Sequence, residues 1–124
     1  MPFVRARNTV LVVEDDPGLR NLYRAALTSA GYAVVAVEDG VDALRRVDDR
    51  VPAAVVLDLG LPRLNGRDVS RELKSRPDTR DIPIVVVSGT DTRDLNPDDF
   101  ACVLRKPIHP EAVVSAVERS LRRS

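Results

Sequence analysis

Cysteine is almost missing from this chain: Cys102 is the single copy in 124 residues. That excludes an internal disulfide and any metal site built from several thiolates. Histidine is equally scarce, with His109 alone. An excess of charge of one sign is lacking too, because nineteen basic side chains are matched by nineteen acidic ones, and such a balance offers nucleic acid no electrostatic footprint. Long hydrophobic runs do not occur. The apolar stretches stop after four or five residues, far short of the ~20 that a membrane-spanning helix needs. No secretory leader is evident either, and with no disulfide to form, the chain is expected in the cytoplasm. Lysine is rare: Lys74 and Lys106 stand against a background of arginine.

What is present is a rhythm. Residues 1–8 show no periodicity and read as a short lead. Residues 9–13 form a run of β-formers that ends at Glu14-Asp15-Asp16, and Pro17 suits the first turn of a helix. Leu19, Leu22, Tyr23, Ala26, Leu27 and Ala30 follow at helical spacing, with Gly31 as the stop. The alternation repeats: a run at 33–37, a helix carrying Val41, Leu44, Val47 and Val51, and a run at 53–57 that stops at Asp58. Next come a loop with Pro62 and Asn65-Gly66, a helix over 67–76, and a β-branched run at 82–87 closing on Ser88-Gly89. Residues 90–99 are polar and contain Pro97, so any helix there is short or broken. A fifth run at 101–104 leads into Lys106-Pro107, and a last helix from Pro110 carries Val113, Ala116, Val117 and Leu121 inward. Short apolar runs alternating with amphipathic helices predict an α/β three-layer domain with a five-stranded parallel sheet covered on both faces.

In such a sheet, ligands gather outside the carboxyl ends of the strands. The residues at the ends of runs one, three, four and five are Glu14-Asp15-Asp16, Asp58, Ser88 and Lys106. Clustered carboxylates repel one another and become tolerable around a divalent cation. Oxygen donors without histidine or thiolate favour Mg²⁺. A carboxylate beside such an ion can act as a nucleophile toward phosphorus, with a lysine and a serine to hold phosphoryl oxygens.

At these residues the chain resembles the response regulator receiver family. The landmarks are the run from Leu11 to Pro17, the segment from Val55 to Gly66, Ser88-Gly89 and Lys106-Pro107, in order and each at the end of a predicted strand. The resemblance implies a flavodoxin-like sheet of order 2-1-3-4-5 over residues 9–124, with a short or irregular fourth helix. It implies that Asp58 is the phosphoacceptor and that Glu14, Asp15, Asp58 and the Gly60 carbonyl hold Mg²⁺. Ser88 would move toward the phosphoryl group, Lys106 would pair with it, and Gly89 would keep the site open. Gly60 and Thr90 would stand where side chains tune attack of water. The implied partners are a sensor histidine kinase or a histidine phosphotransfer protein, together with an output domain or protein. No direct contact with nucleic acid or membrane is expected, and the domain is expected to be a monomer or weak dimer. Two departures stand out. Similar domains carry Tyr or Phe three residues before the lysine, where this chain has Val103, and the stretch from Ser88 to Lys106 is shorter than usual.

Two other functions compete. A receiver-like interaction module that is not phosphorylated in use would fit the missing aromatic. An enzyme on a similar sheet, a phosphatase or a flavin protein, fits less well. The phosphatase would want an aspartate at Gly60, and acids stand where the flavin protein needs a phosphate loop. On the receiver reading the chain is not an enzyme: self-phosphorylation and autodephosphorylation would be its own chemistry, with no released product. Asp16 reads equally as a helix cap or an outer acid, His109 as a surface or cap residue, and Cys102 as a small buried hydrophobe. The arginine-rich end of the last helix complements the helix dipole. The chain reads as a stand-alone receiver or as one cut from a longer protein.

Overall fold

Five short strands lie parallel in one sheet, ordered β2-β1-β3-β4-β5, in a computed structural model that describes residues 9–122. They are β1 (Thr9–Val13), β2 (Ala33–Val37), β3 (Ala54–Leu57), β4 (Ile84–Ser88) and β5 (Cys102–Arg105). Four α-helices join them: α1 (Pro17–Ser29), α2 (Gly40–Asp49), α3 (Gly66–Ser75) and α4 (Pro110–Arg122). Architecture and strand order are those expected from the resemblance. The lead at residues 1–8 lies outside the described residues.

Side chains alternate across a strand, and here the alternation divides the core in two. Leu11, Val13, Val55, Leu57, Ile84 and Val86 face α2 and α3, meeting Ala43, Val47, Val69 and Leu73. Val10, Val12, Ala54, Val56, Val85 and Val87 face α1 and α4, meeting Tyr23, Leu27, Val113, Ala116 and Val117. The central strands β1, β3 and β4 are buried along their whole length. The expectation of burial on both faces fails at the edges, where a strand has a neighbour on one side only: Ala33 of β2 and Val103 of β5 are exposed. Leu22 also departs from the inward stripe assigned to it. It is 52% exposed, while Tyr23 and Leu27 carry the packing of α1.

Local chemistry sets the helix ends. Asp16, Asp39 and Asn65 cap α1, α2 and α3 through side-chain oxygens that accept backbone N–H bonds. Gly31, at φ 104°, ends α1 as its position suggested. Strand β4 begins at Ile84 and not at Ile82, because the Ile82 N–H bonds the Thr79 carbonyl in a turn and Pro83 has no N–H to give. Between β4 and β5 the irregular fourth helix is a single 3-10 turn, Pro97–Asp99, capped by Asn96. Because all five strands are parallel, their carboxyl ends share one edge. The order reverses between β1 and β3, the point at which open parallel sheets form their ligand crevice.

Candidate functional site

The register of the strands brings the acids together. Val13 of β1 pairs with Leu57 of β3, so Glu14 and Asp58 emerge side by side from the two strands flanking the crevice. The Asp58 N–H bonds the Val13 carbonyl at 3.0 Å, and the Glu14 N–H bonds the Val37 carbonyl at 3.1 Å. Glu14 and Asp58 are 1% and 6% exposed, whereas Asp15 is open to solvent. One oxygen from each of Glu14, Asp15 and Asp58 lies within 4.8 Å of the others. Three carboxylates at that separation suit a small hard cation that prefers oxygen, so this donor set fits Mg²⁺.

Lys106 follows β5 and reaches the same point. Its Nζ lies 2.9 Å from Glu14 Oε1 and 3.5 Å from Asp58 Oδ2. The shorter contact is poorly directed for a hydrogen bond, so charge holds it more than direction does. Burial raises the Glu14 pKa above its ordinary value; the Lys106 contact and the Asp16 N–H oppose that rise without cancelling it. Burial also pulls on Lys106, downward, but Glu14 and Asp58 outweigh it and leave the ammonium above its usual pKa. Lys106 is therefore a fixed cation at neutral pH.

Ser88 is the fully buried last residue of β4. Its carbonyl accepts the Lys106 N–H at 2.9 Å. Its hydroxyl is engaged with Thr90, 2.9 Å from Thr90 Oγ1 and accepting the Thr90 N–H at 3.0 Å. Leu57 pairs with Val86, so Ser88 stands one residue further out than Asp58 on the adjacent strand. The Gly60 N–H donates to Asp58 Oδ1 at 3.1 Å, which fixes the rotation of that carboxylate. A methyl group on Gly60 would meet nothing within 4 Å, and one on Gly89 would only touch the Lys106 stem.

Other expectations resolve more simply. Asp16 is a cap: its Oδ1 accepts from Gly18 and Leu19 at 2.8 and 3.1 Å. His109 is exposed just ahead of α4, where its carbonyl accepts the Ala112 N–H. Cys102 is half-buried, less enclosed than its apolar setting suggested. Three roles are not legible in the sequence. Arg20 Nη1 donates to the Glu14 carbonyl at 3.0 Å and sets the acidic turn. Thr90 was noted for its place, not as the partner of Ser88. Tyr23 passed as one apolar stripe member among several. Its buried hydroxyl has no hydrogen-bond partner among the described residues, and burial, then the Glu14 charge, raises its pKa.

The sequence model of the response regulator receiver domain matches residues 10–118. The chain belongs to that family. It is 38% identical over 122 residues to the response regulator MprA of Mycobacterium sp. (strain KMS), an alignment covering 93% of this chain and 51% of the relative. The receiver domain thus spans about half the length of the curated relatives it matches. Among solved structures it is similar to a sensor protein from Polaromonas sp. JS666, with TM-score 0.85 and 30% identity over 94% of this chain and 98% of the other. It is also similar to the receiver domain of the sensor histidine kinase PA1611 from Pseudomonas aeruginosa PAO1, with TM-score 0.80 and 27% identity over 93% and 98% of the two chains. That domain has a magnesium ion coordinated in its active site cleft. Receiver domains are signalling parts of two-component systems, not conventional enzymes; they pair with histidine kinases and bind Mg²⁺ at an acidic pocket. Family membership removes the phosphatase and flavin readings. No helix among the described residues is long and apolar enough to cross a membrane.

Proposed function

We propose that this receiver domain accepts a phosphoryl group on Asp58 from a histidine kinase or a histidine phosphotransfer protein, and that the modification changes its affinity for a partner. The observation that carries this reading is the ammonium of Lys106 set between Glu14 and Asp58, at the meeting point of three carboxylates. Mg²⁺ would be held by Glu14, Asp15, Asp58 and the Gly60 carbonyl; when bound, it offsets the repulsion among the acids and the incoming phosphoryl oxygens. Asp58 supplies the electron pair. One of its carboxylate oxygens forms a bond to phosphorus while the bond from phosphorus to the donor imidazole nitrogen breaks, and the imidazole leaves with that pair and takes up a proton. Lys106 is placed to hold one phosphoryl oxygen by charge. Ser88 holds another by a hydrogen bond once its hydroxyl leaves Thr90. That exchange favours one of two conformations of the segment after β4, which is the switch.

Val103, exposed on β5 in place of an aromatic ring, points to a readout that does not use ring rotation. Incubation with Mg²⁺ and acetyl phosphate, read by intact mass, should add one phosphoryl group to the wild type and none to Asp58→Asn. Equal labelling of that variant would place the acceptor elsewhere. No labelling of the wild type at any donor concentration would favour the interaction module that works unphosphorylated.

A further inference from the structure

Asp58 is followed by a loop, residues 59–65, which has to hold its shape if the Gly60 carbonyl is to serve beside the carboxylates. Two glycines show how tightly it is seated. A Cβ on Gly66 would lie 2.3 Å from the Asp58 carbonyl oxygen, and one on Gly40 would lie 2.0 Å from that of Leu64. The loop tip therefore rests directly on the first turn of α2. Leu59 and Leu61 anchor its inner side in the core.

The tip itself is Arg63, whose φ of 64° lies in the left-handed region that non-glycine residues seldom adopt. From there its guanidinium turns back to α2. Nε and Nη2 lie 3.0 and 2.7 Å from Asp39 Oδ2. The other oxygen, Oδ1, accepts the Asp42 N–H at 2.9 Å and caps the helix. Asp39 is 6% exposed. One buried carboxylate thus joins a helix to a loop tip, with an oxygen for each. Exposed ion pairs contribute little, because both side chains remain solvated and mobile. Here the acid is sheltered and already fixed by its capping bond, so the pairing costs less freedom.

We propose that Arg63 is a positioning residue: clasped to Asp39, it holds residues 59–65 so that Gly60 and Asp58 meet the metal and the phosphoryl group in one geometry. This rests on the Mg²⁺ and Asp58 reading given above. Without the clasp the helix keeps its cap and the core keeps Leu59 and Leu61. The ordering of the loop must then come out of metal-binding energy.

Calorimetric titration of the whole chain with Mg²⁺ tests this, alongside labelling by acetyl phosphate at saturating Mg²⁺. Groups behind metal ligands commonly change affinity by about 10–100-fold. For a residue one step further back, Arg63→Ala should weaken Mg²⁺ binding about three- to tenfold while leaving the extent of labelling at saturation unchanged. Arg63→Gly relaxes the left-handed backbone and guards against simple misfolding; it should weaken binding similarly without lowering the unfolding midpoint. Arg63→Lys should recover part of the loss. Asp39→Asn combined with Arg63→Ala should be no worse than the weaker-binding single variant, since both break one clasp. Arg71→Ala, which removes an exposed pair with Asp68 on α3, should bind as the wild type does. Wild-type affinity in both Arg63→Ala and Arg63→Gly would overturn the proposal while the proposed function stood. Failure of the wild type to bind Mg²⁺ would remove both.

Discussion

The crevice between β1 and β3 and the edge formed by β4 and β5 are built on opposite terms. At the crevice, Glu14 and Asp58 extend from fully buried strands in matched register, and the loop after Asp58 is pressed against α2 and α3. At the edge, β5 alternates between half-buried and exposed residues, and residues 89–101 hold one 3-10 turn and short-range bonds such as Arg93 N–H to Asp91 and Asp98 N–H to Asn96. Ser88 and Lys106 stand on the border, joined to each other through backbone and to the crevice through the Lys106 ammonium. The difference teaches where a switch has room to work. On the function proposed above, the ligands for metal and phosphoryl group would be fixed by the core, while the segment that would answer them is tied down lightly.

Truncation gives the largest test of that contrast. Leu57 is wholly buried one residue before Asp58, and Val103 is 38% exposed on β5. Leu57→Ala should cost about 2–5 kcal/mol and Val103→Ala less than about 0.5 kcal/mol, both read from denaturant unfolding. Comparable losses at the two positions would mean that the edge is packed as firmly as the crevice.

The crevice was also the region most legible in the sequence. Short apolar runs ending in Glu14-Asp15-Asp16 and at Asp58 specify buried parallel strands, and parallel strands force their ends together. Periodicity says which face turns inward, but not which arginine finds which aspartate. Arg63 and Asp39 lie 24 residues apart, and Arg67 and Asp94 lie 27 apart. Both pairings depend on how loops settle after the helices have packed. The loop after Asp58 showed the same limit. Its Asn-Gly pair suggested a turn there, yet Asn65 caps α3, Gly66 begins it, and the left-handed residue is Arg63. Leu22 looked inward by spacing alone because α1 buries a narrower stripe than its composition allows.

A middle-sized effect concerns the tie across the edge. Arg67, at the start of α3, places Nε and Nη2 each 2.8 Å from an oxygen of Asp94, and Nη2 2.8 Å from the Asp91 carbonyl. It is a polar link from the segment after β4 to the crevice side, beside the packing of Leu95 and Phe100 against the core. Arg67→Ala should lower global stability by no more than about 1 kcal/mol, because the partner is exposed. Amide hydrogen exchange over residues 91–96 should accelerate clearly, with β1 and β3 unchanged. Equal acceleration in the central strands would show that the edge is not an independent unit.

The smallest effect is electrostatic and separates a sheltered carboxylate from an exposed one. Burial works to raise the Asp39 pKa, but the Asp42 N–H and the Arg63 guanidinium outweigh it and leave the value below the ordinary 3.8. Asp94 is lowered as well, chiefly by its bond to Arg67. A carboxyl that holds its proton less tightly when folded stabilises the fold while ionised. Its contribution is complete above pH 3.8 and disappears as the pH falls through the lower folded value. The stability gap between wild type and Asp39→Asn should therefore be widest near neutrality and close in acid, with the same sign and a smaller span for Asp94→Asn. Raising NaCl to about 1 M, where screening acts within ~3 Å, should erase the Asp94 gap and spare most of the Asp39 gap. If salt removed both alike, Asp39 would be behaving as a surface charge, and the clasp on residues 59–65 would lose its physical basis.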